Sequence, residues 1–138
     1  ISRSGHEVAV ELVTRSRAGV ADPVERVCAI VGAMVRFHAE QHGVARIIQY
    51  EHMSLTPAHQ REMLALRRVT ESVLQEAIDQ GVLASRIEAA AAPMATLAIM
   101  SLAIDVARWF PSQRSRSPDQ IAEAYCELAL RMLGATRA

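Results

Sequence analysis

Pro93-Met94-Ala95-Thr96-Leu97-Ala98-Ile99-Met100-Ser101-Leu102-Ala103-Ile104 is an uncharged helical run, closed by Asp105, Arg108, Trp109 and Phe110. A helix that is apolar nearly all round has to be buried. A chain of 138 residues cannot easily surround it alone. The run, with the amphipathic segment after it, therefore reads as a subunit interface. Its sister segment opens with Ser117-Pro118-Asp119-Gln120, a capping-box pattern with proline in the first turn. That helix is expected from Pro118 to Leu133, with Ile121, Tyr125, Leu128 and Met132 along one face and Gly134 as its terminator.

Working back along the chain, the same grammar repeats. Asp22-Pro23 starts a helix expected to reach His42 and to stop at Gly43. Val24, Val27, Cys28, Val31, Met34, Val35 and His38 share its broad apolar face. Thr56-Pro57 starts a long helix to about Gln80, with Gly81 as its cap and Met63, Leu66, Val69, Val73 and Ala77 as its stripe. A helix over Gly5–Ala18 ends at Gly19, and a shorter one covers Val44–His52. Val82–Ala92 and Ser112–Ser117 are connectors. The fold class is therefore all-α: an antiparallel bundle of about six helices in a single domain spanning residues 1–138.

Composition agrees with that palette. Hydrophobic residues make up 51% and aromatics only 4%, so the core is built from aliphatic side chains and Met. The 15 basic residues, all Arg, balance 15 acidic ones, and Lys and Asn are absent, a GC-rich coding bias. A neutral chain lacks the basic footprint of a nucleic-acid binder. Cys28 and Cys126 fall in apolar helical patterns and read as small core side chains. The uncharged run is short of the roughly 20 residues that span a bilayer, which places the protein in the cytoplasm.

Catalytic and metal chemistry find little footing. No phosphate loop, nucleophile elbow or Cys-x-x-Cys occurs. His38 and His42 are four apart on a helix, but the glutamate of the metalloprotease pattern is not beside the first His. No catalytic residue, metal ligand or cofactor is assigned, and an enzyme is not expected.

The order of elements resembles the C-terminal, ligand-binding domain of TetR-family transcriptional regulators. The residues that carry the likeness are Asp22-Pro23-Val24-Glu25-Arg26-Val27, Arg61-Glu62-Met63-Leu64-Ala65-Leu66-Arg67-Arg68, Ala77-Ile78-Asp79-Gln80-Gly81-Val82-Leu83 and Val106-Ala107-Arg108-Trp109-Phe110. The closing helix from Ser117 to Leu133 fits as well. The chain is most similar to the subgroup that senses acyl-coenzyme A, departing from it at Ala92, where an acidic residue usually precedes the proline. The resemblance implies a homodimer and a small apolar effector, an acyl-CoA among the candidates. It also implies an N-terminal helix-turn-helix domain that this chain does not contain, through which operator DNA is bound. Ile1 then falls near the start of the linking helix.

The implied pocket lies among Val31–His38, Ile47–Tyr50, Met63–Arg67 and Met100–Arg108. Its expected lining is Met34, His38, Tyr50, Met63, Arg67, Met100, Ile104, Arg108 and Trp109. Arg108 is the candidate for coenzyme phosphates, with Asp105 as its competing intrahelical partner. The dimer seam is assigned to Leu97, Ile121, Tyr125, Leu128 and Met132. The rival reading is a dimeric helical interaction domain without a small-molecule ligand.

Overall fold

Three short polar signals start the long helices, and each makes its expected bonds. Asp22 accepts from the backbone of Val24 at 2.8 Å, Thr56 from that of His59 at 3.3 Å. Ser117 and Gln120 close a full capping box at 3.2 and 2.8 Å. Hydroxyl caps such as Thr56 and Ser117 are worth about 1 kcal/mol each, because they satisfy amides that the helix leaves open.

The computed structural model describes residues 2–113 and 115–137, with side chains from Gly5 onward; Ile1, Arg114 in the polar loop and Ala138 lie outside the described residues. Six helices follow one another: α1 (Ser2–Ser16), α2 (Pro23–Glu40), α3 (His42–Glu51), α4 (Pro57–Leu83), α5 (Ala92–Trp109) and α6 (Pro118–Met132). Short 3-10 turns at His52–Ser54 and Phe110–Ser112 extend α3 and α5. No strand occurs among the described residues.

The second helix is the hub. Val24, Val27, Ile30, Val31, Met34, Val35 and Ala39 are all buried on it, and α1, α3, α4, α5 and α6 all pack against it. Thr96 of α5 donates to Gln75 of α4, so the one strongly polar group of the buried face of α5 is satisfied. Ion pairs such as Arg17–Glu76 and Arg36–Asp119 lie at the rim.

Four expectations change. Gly43 does not end α2: Gln41 caps it, and Gly43 sits in the first turn of α3. Gly81 does not end α4: the helix runs on to Leu83, and the chain turns at Ser85, whose φ is +57°. Gly19 and Gly134, with φ of +75° and +59°, do adopt the conformation that favours glycine. Cys28 and Cys126 are joined by a disulfide that ties α2 to α6 across 98 positions, rather than packing as free thiols. Finally, α5 is not buried all round. Ala95, Ile99, Ala103 and Val106 face the core, whereas Met94, Leu97 and Leu102 are exposed. With the 3-10 turn, Ala92–Ser112 reaches 21 residues, long and apolar enough to cross a membrane by length and composition, yet here it is a core helix of the bundle.

Candidate functional site

A cavity of about 190 Å³ opens between α1, α2, α3, α4 and α5. It exists because the helix faces that meet there carry slender or small side chains. Met34 comes from α2, Met63 from α4 and Met100 from α5, unbranched residues that fill irregular space without closing it. Ala9 and Ala45 leave room on α1 and α3. At Gly5 a β-carbon would overlap the Cδ1 end of Ile48, so the glycine lets that side chain lie close against α1.

The polar groups come mostly from one side. His6 is on α1, His38 on α2, His52 on the 3-10 turn, and Arg67 and Thr70 on α4. His38 is only 7% exposed. Its Nδ1 lies 2.7 Å from the carbonyl of Met34. A carbonyl only accepts, so Nδ1 carries the proton and Nε2 of the neutral ring is left as an acceptor. Burial pushes the His38 pKa below its ordinary value, against the Met34 hydrogen bond, and the charges of Arg67 and His6 push the same way as burial. His6 is lowered for the same reasons, burial first and then Arg67 and His52. Arg67 faces Glu71 at 3.5 Å. Among the described residues, no Asp or Glu lines the cavity.

The cavity brings together Met34, His38, Met63, Arg67, Met100 and Ile104 of the nine residues expected from sequence. The other three lie elsewhere. Tyr50 is 87% exposed on the outer face of α3. Arg108 grips Asp105 through two hydrogen bonds of 2.8 Å each, and its side chain is 63% exposed. That contact holds the Asp105 carboxyl below its usual range. Trp109 is half-buried and stacks at a tilt on Tyr125, ring centroids 6.5 Å apart.

Sequence reasoning missed His6, His52 and Thr70 in the lining, while Phe37 and Ile48 fall within the expected segments Val31–His38 and Ile47–Tyr50. His6 carried a signal, since His6, Ala9 and Val13 stand at helical spacing on the inner face of α1. On α4 the expected Met63, Val73 and Ala77, with Leu74 and Ile78 beside them, are buried; Val69 of the expected stripe is exposed, and Thr70 is buried instead. No group of three His, Cys, Asp or Glu able to hold a metal occurs among the described residues.

The seam residues divide too. Leu97, Leu128 and Met132 are exposed and Tyr125 is half-buried. Leu102, Tyr125, Leu128 and Met132 ring one shallow apolar dimple between α5 and α6. Ile121 is 3% exposed and belongs to the core of the single subunit.

The model of the tetracyclin repressor-like C-terminal domain matches residues 20–133. The chain is similar to a bacterial regulatory protein of the TetR family from Rhodococcus RHA1, at 38% identity over 99% of this chain and 72% of that one, with a TM-score of 0.92. It also shares its fold with the TetR-family transcriptional regulator PfmR from Thermus thermophilus, at 21% identity, TM-score 0.80, over 99% of this chain and 75% of that one. A TetR/AcrR-family regulator from Thermobifida fusca matches at 23% identity and TM-score 0.79, over 99% and 72%. No curated protein matches.

Proposed function

Because this chain belongs to the TetR family of transcriptional regulators, as its C-terminal domain, we propose that it is the effector-sensing and dimerising part of a repressor. A small, largely apolar effector enters the cavity and alters how a pair of N-terminal helix-turn-helix domains meets operator DNA in the cytoplasm. The observation that carries the reading is the share of α1 in the cavity wall: Gly5, His6 and Ala9 line it. An effector in contact with α1 touches the helix that leads toward the DNA-reading part. Ligand contacts that differ between two positions of α1 shift the population between them. Paired reading helices need a separation of about 34–36 Å, so a modest tilt of α1 spoils the fit.

Homodimerisation through α5 and α6 is supported by the exposed Leu97, Leu102, Leu128 and Met132. A second copy would cover this apolar face. A coenzyme A thioester is less well supported. The cavity is smaller than the 300–1,000 Å³ or so of ordinary ligand pockets, and Arg108 is outside it, paired with Asp105. A small acyl or aryl group fits a cavity of about 190 Å³.

The test has two arms. In a thermal-shift screen, a ligand of the native state raises the melting temperature of this domain. In a gel shift with the longer protein that carries the DNA-reading domain, the same compound changes operator affinity. A dimer that responds to no small molecule in either arm returns the protein to the rival reading, an interaction domain.

A further inference from the structure

We propose that the effector is a small monoanion: an apolar body of one ring or a short acyl chain, ending in a carboxylate held by Arg67 and Thr70. This rests on the effector-cavity reading above and adds the chemical class of the ligand.

The cavity has two unlike walls. Ala45, Ile48, Met100 and Ile104, from α3 and α5, make a mainly apolar side, on which Gln49 donates to the carbonyl of Ile104 at 3.4 Å. The opposite side, from α1, α2, α4 and the 3-10 turn, carries three imidazoles, a guanidinium and a hydroxyl beside Met34, Phe37, Met63 and Leu64, and no carboxylate among the described residues. Its electrostatics are those of a site short of negative charge. His6 and His38 are each disfavoured as cations by burial and by Arg67. Arg67 has Glu71 at 3.5 Å, a loose pair at the half-exposed rim.

Thr70 is the second polar group on the α4 wall. It is 3% exposed and lines the cavity. A hydroxyl in a cavity wall can donate to an acceptor placed there. Thr70 stands three residues after Arg67, hence on the same helix face. One carboxylate can therefore take the guanidinium and the hydroxyl together, in charge-assisted bonds. Neutral His38 lines the same cavity, and its acceptor Nε2 becomes a second donor if the anion draws a proton onto the ring.

Volume sets the body. An engineered apolar cavity of about 150 Å³ accepts benzene. At about 190 Å³ this one accepts a single ring or a chain of similar bulk beside the carboxylate.

The experiment is calorimetric titration of the domain with benzoate, phenylacetate and hexanoate, each against its neutral amide, on the native protein and on Thr70→Val and Arg67→Gln. At least one acid is expected to bind ten times or more tighter than its amide. Arg67→Gln should erase that preference and leave the amide unchanged. Thr70→Val should weaken the acid about tenfold and leave the amide unchanged. Amides binding as well as acids would overturn the anionic class yet leave the cavity an effector site. No binding of any acid or amide would overturn both. Equal loss for acid and amide in Arg67→Gln would reduce Arg67 to a structural part and sink its proposed role.

Discussion

Ile87 is folded back over Gly81, so that a methyl group on Gly81 would overlap its Cδ1 and stand 2.8 Å from its Cγ1. Gly81 lies inside α4, where glycine is otherwise unfavourable by about 1 kcal/mol against alanine. Ile87 is buried and β-branched, so it cannot easily swing aside. Overpacking a core costs about 1–3 kcal/mol. Gly81→Ala is therefore expected to destabilise by about 1 kcal/mol net. Gly43→Ala, with nothing within 4 Å of the new carbon, should stabilise by up to about 0.5 kcal/mol. Urea unfolding of the two variants checks the opposite signs.

Stability should fall on acidification through the buried histidines. Unfolded, His6 and His38 titrate near their ordinary 6.5, whereas burial keeps them neutral to lower pH in the folded protein. Below about pH 6.5 the unfolded chain then binds more protons than the folded one, and stability drops as pH decreases toward the lowered values. Above 6.5 these two groups contribute no slope. Melting temperatures at pH 7.5, 6.5 and 5.5 should show the loss only in the acidic step. His38→Gln should flatten part of it, and an unchanged slope would assign the loss to other groups.

The helix starts were legible because their chemistry is local: Asp22-Pro23, Thr56-Pro57 and Ser117-Pro118 each put an acceptor beside amides within three residues. The helix ends were half legible, since glycine has two uses. Gly19 and Gly134 turn the chain at positive φ, while Gly81 makes room for Ile87 from beyond the helix end. Nothing in the neighbourhood of Gly81 announces that visitor. The cavity was legible where one helix face carries it, as with Met34 and His38 on α2. It was not where α1, the 3-10 turn and α4 converge, which is how His6, His52 and Thr70 escaped notice. Tyr50 sits just two residues from Ile48, and that step on a helix turns it outward.

The Cys28–Cys126 disulfide closes a loop of 98 positions. Cross-links of this span restrict the unfolded chain and are typically worth about 2–4 kcal/mol. A reducing agent should lower the melting temperature of the native domain. The double variant Cys28→Ala/Cys126→Ala should start lower and ignore the reductant. Alkylation followed by mass measurement counts the thiols. Two free thiols in protein purified without reductant would contradict the bond.

Leu97 and Leu128 stand exposed on α5 and α6, with Leu102 and Met132 between the same two helices. A charge placed in the middle of an apolar seam is costly to desolvate, and it costs the isolated subunit little where the side chain already faces water. Leu128→Glu is expected to shift the protein from dimer to monomer in analytical ultracentrifugation with its helical circular dichroism retained. Ile121→Glu should instead unfold the domain, because Ile121 is in the core of one subunit.

Arg108 separates the two effector classes. Its guanidinium is held by Asp105 through two bonds, one helical turn back, and its side chain is largely in water. An exposed pair of this kind adds little to stability, so Arg108→Ala should melt with the native protein. A small carboxylate bound at Arg67 and Thr70 never reaches it, and its affinity should be unchanged in the variant. A coenzyme A thioester would draw Arg108 off Asp105 to meet a phosphate, since bidentate anion recognition is what a guanidinium does best. Titration with an acyl-coenzyme A and with the matching free acid distinguishes these cases. Loss of the thioester alone in Arg108→Ala would restore the larger effector and would require the cavity to open well beyond about 190 Å³. Equal affinity of native protein and variant for both ligands leaves Arg108 a surface partner of Asp105.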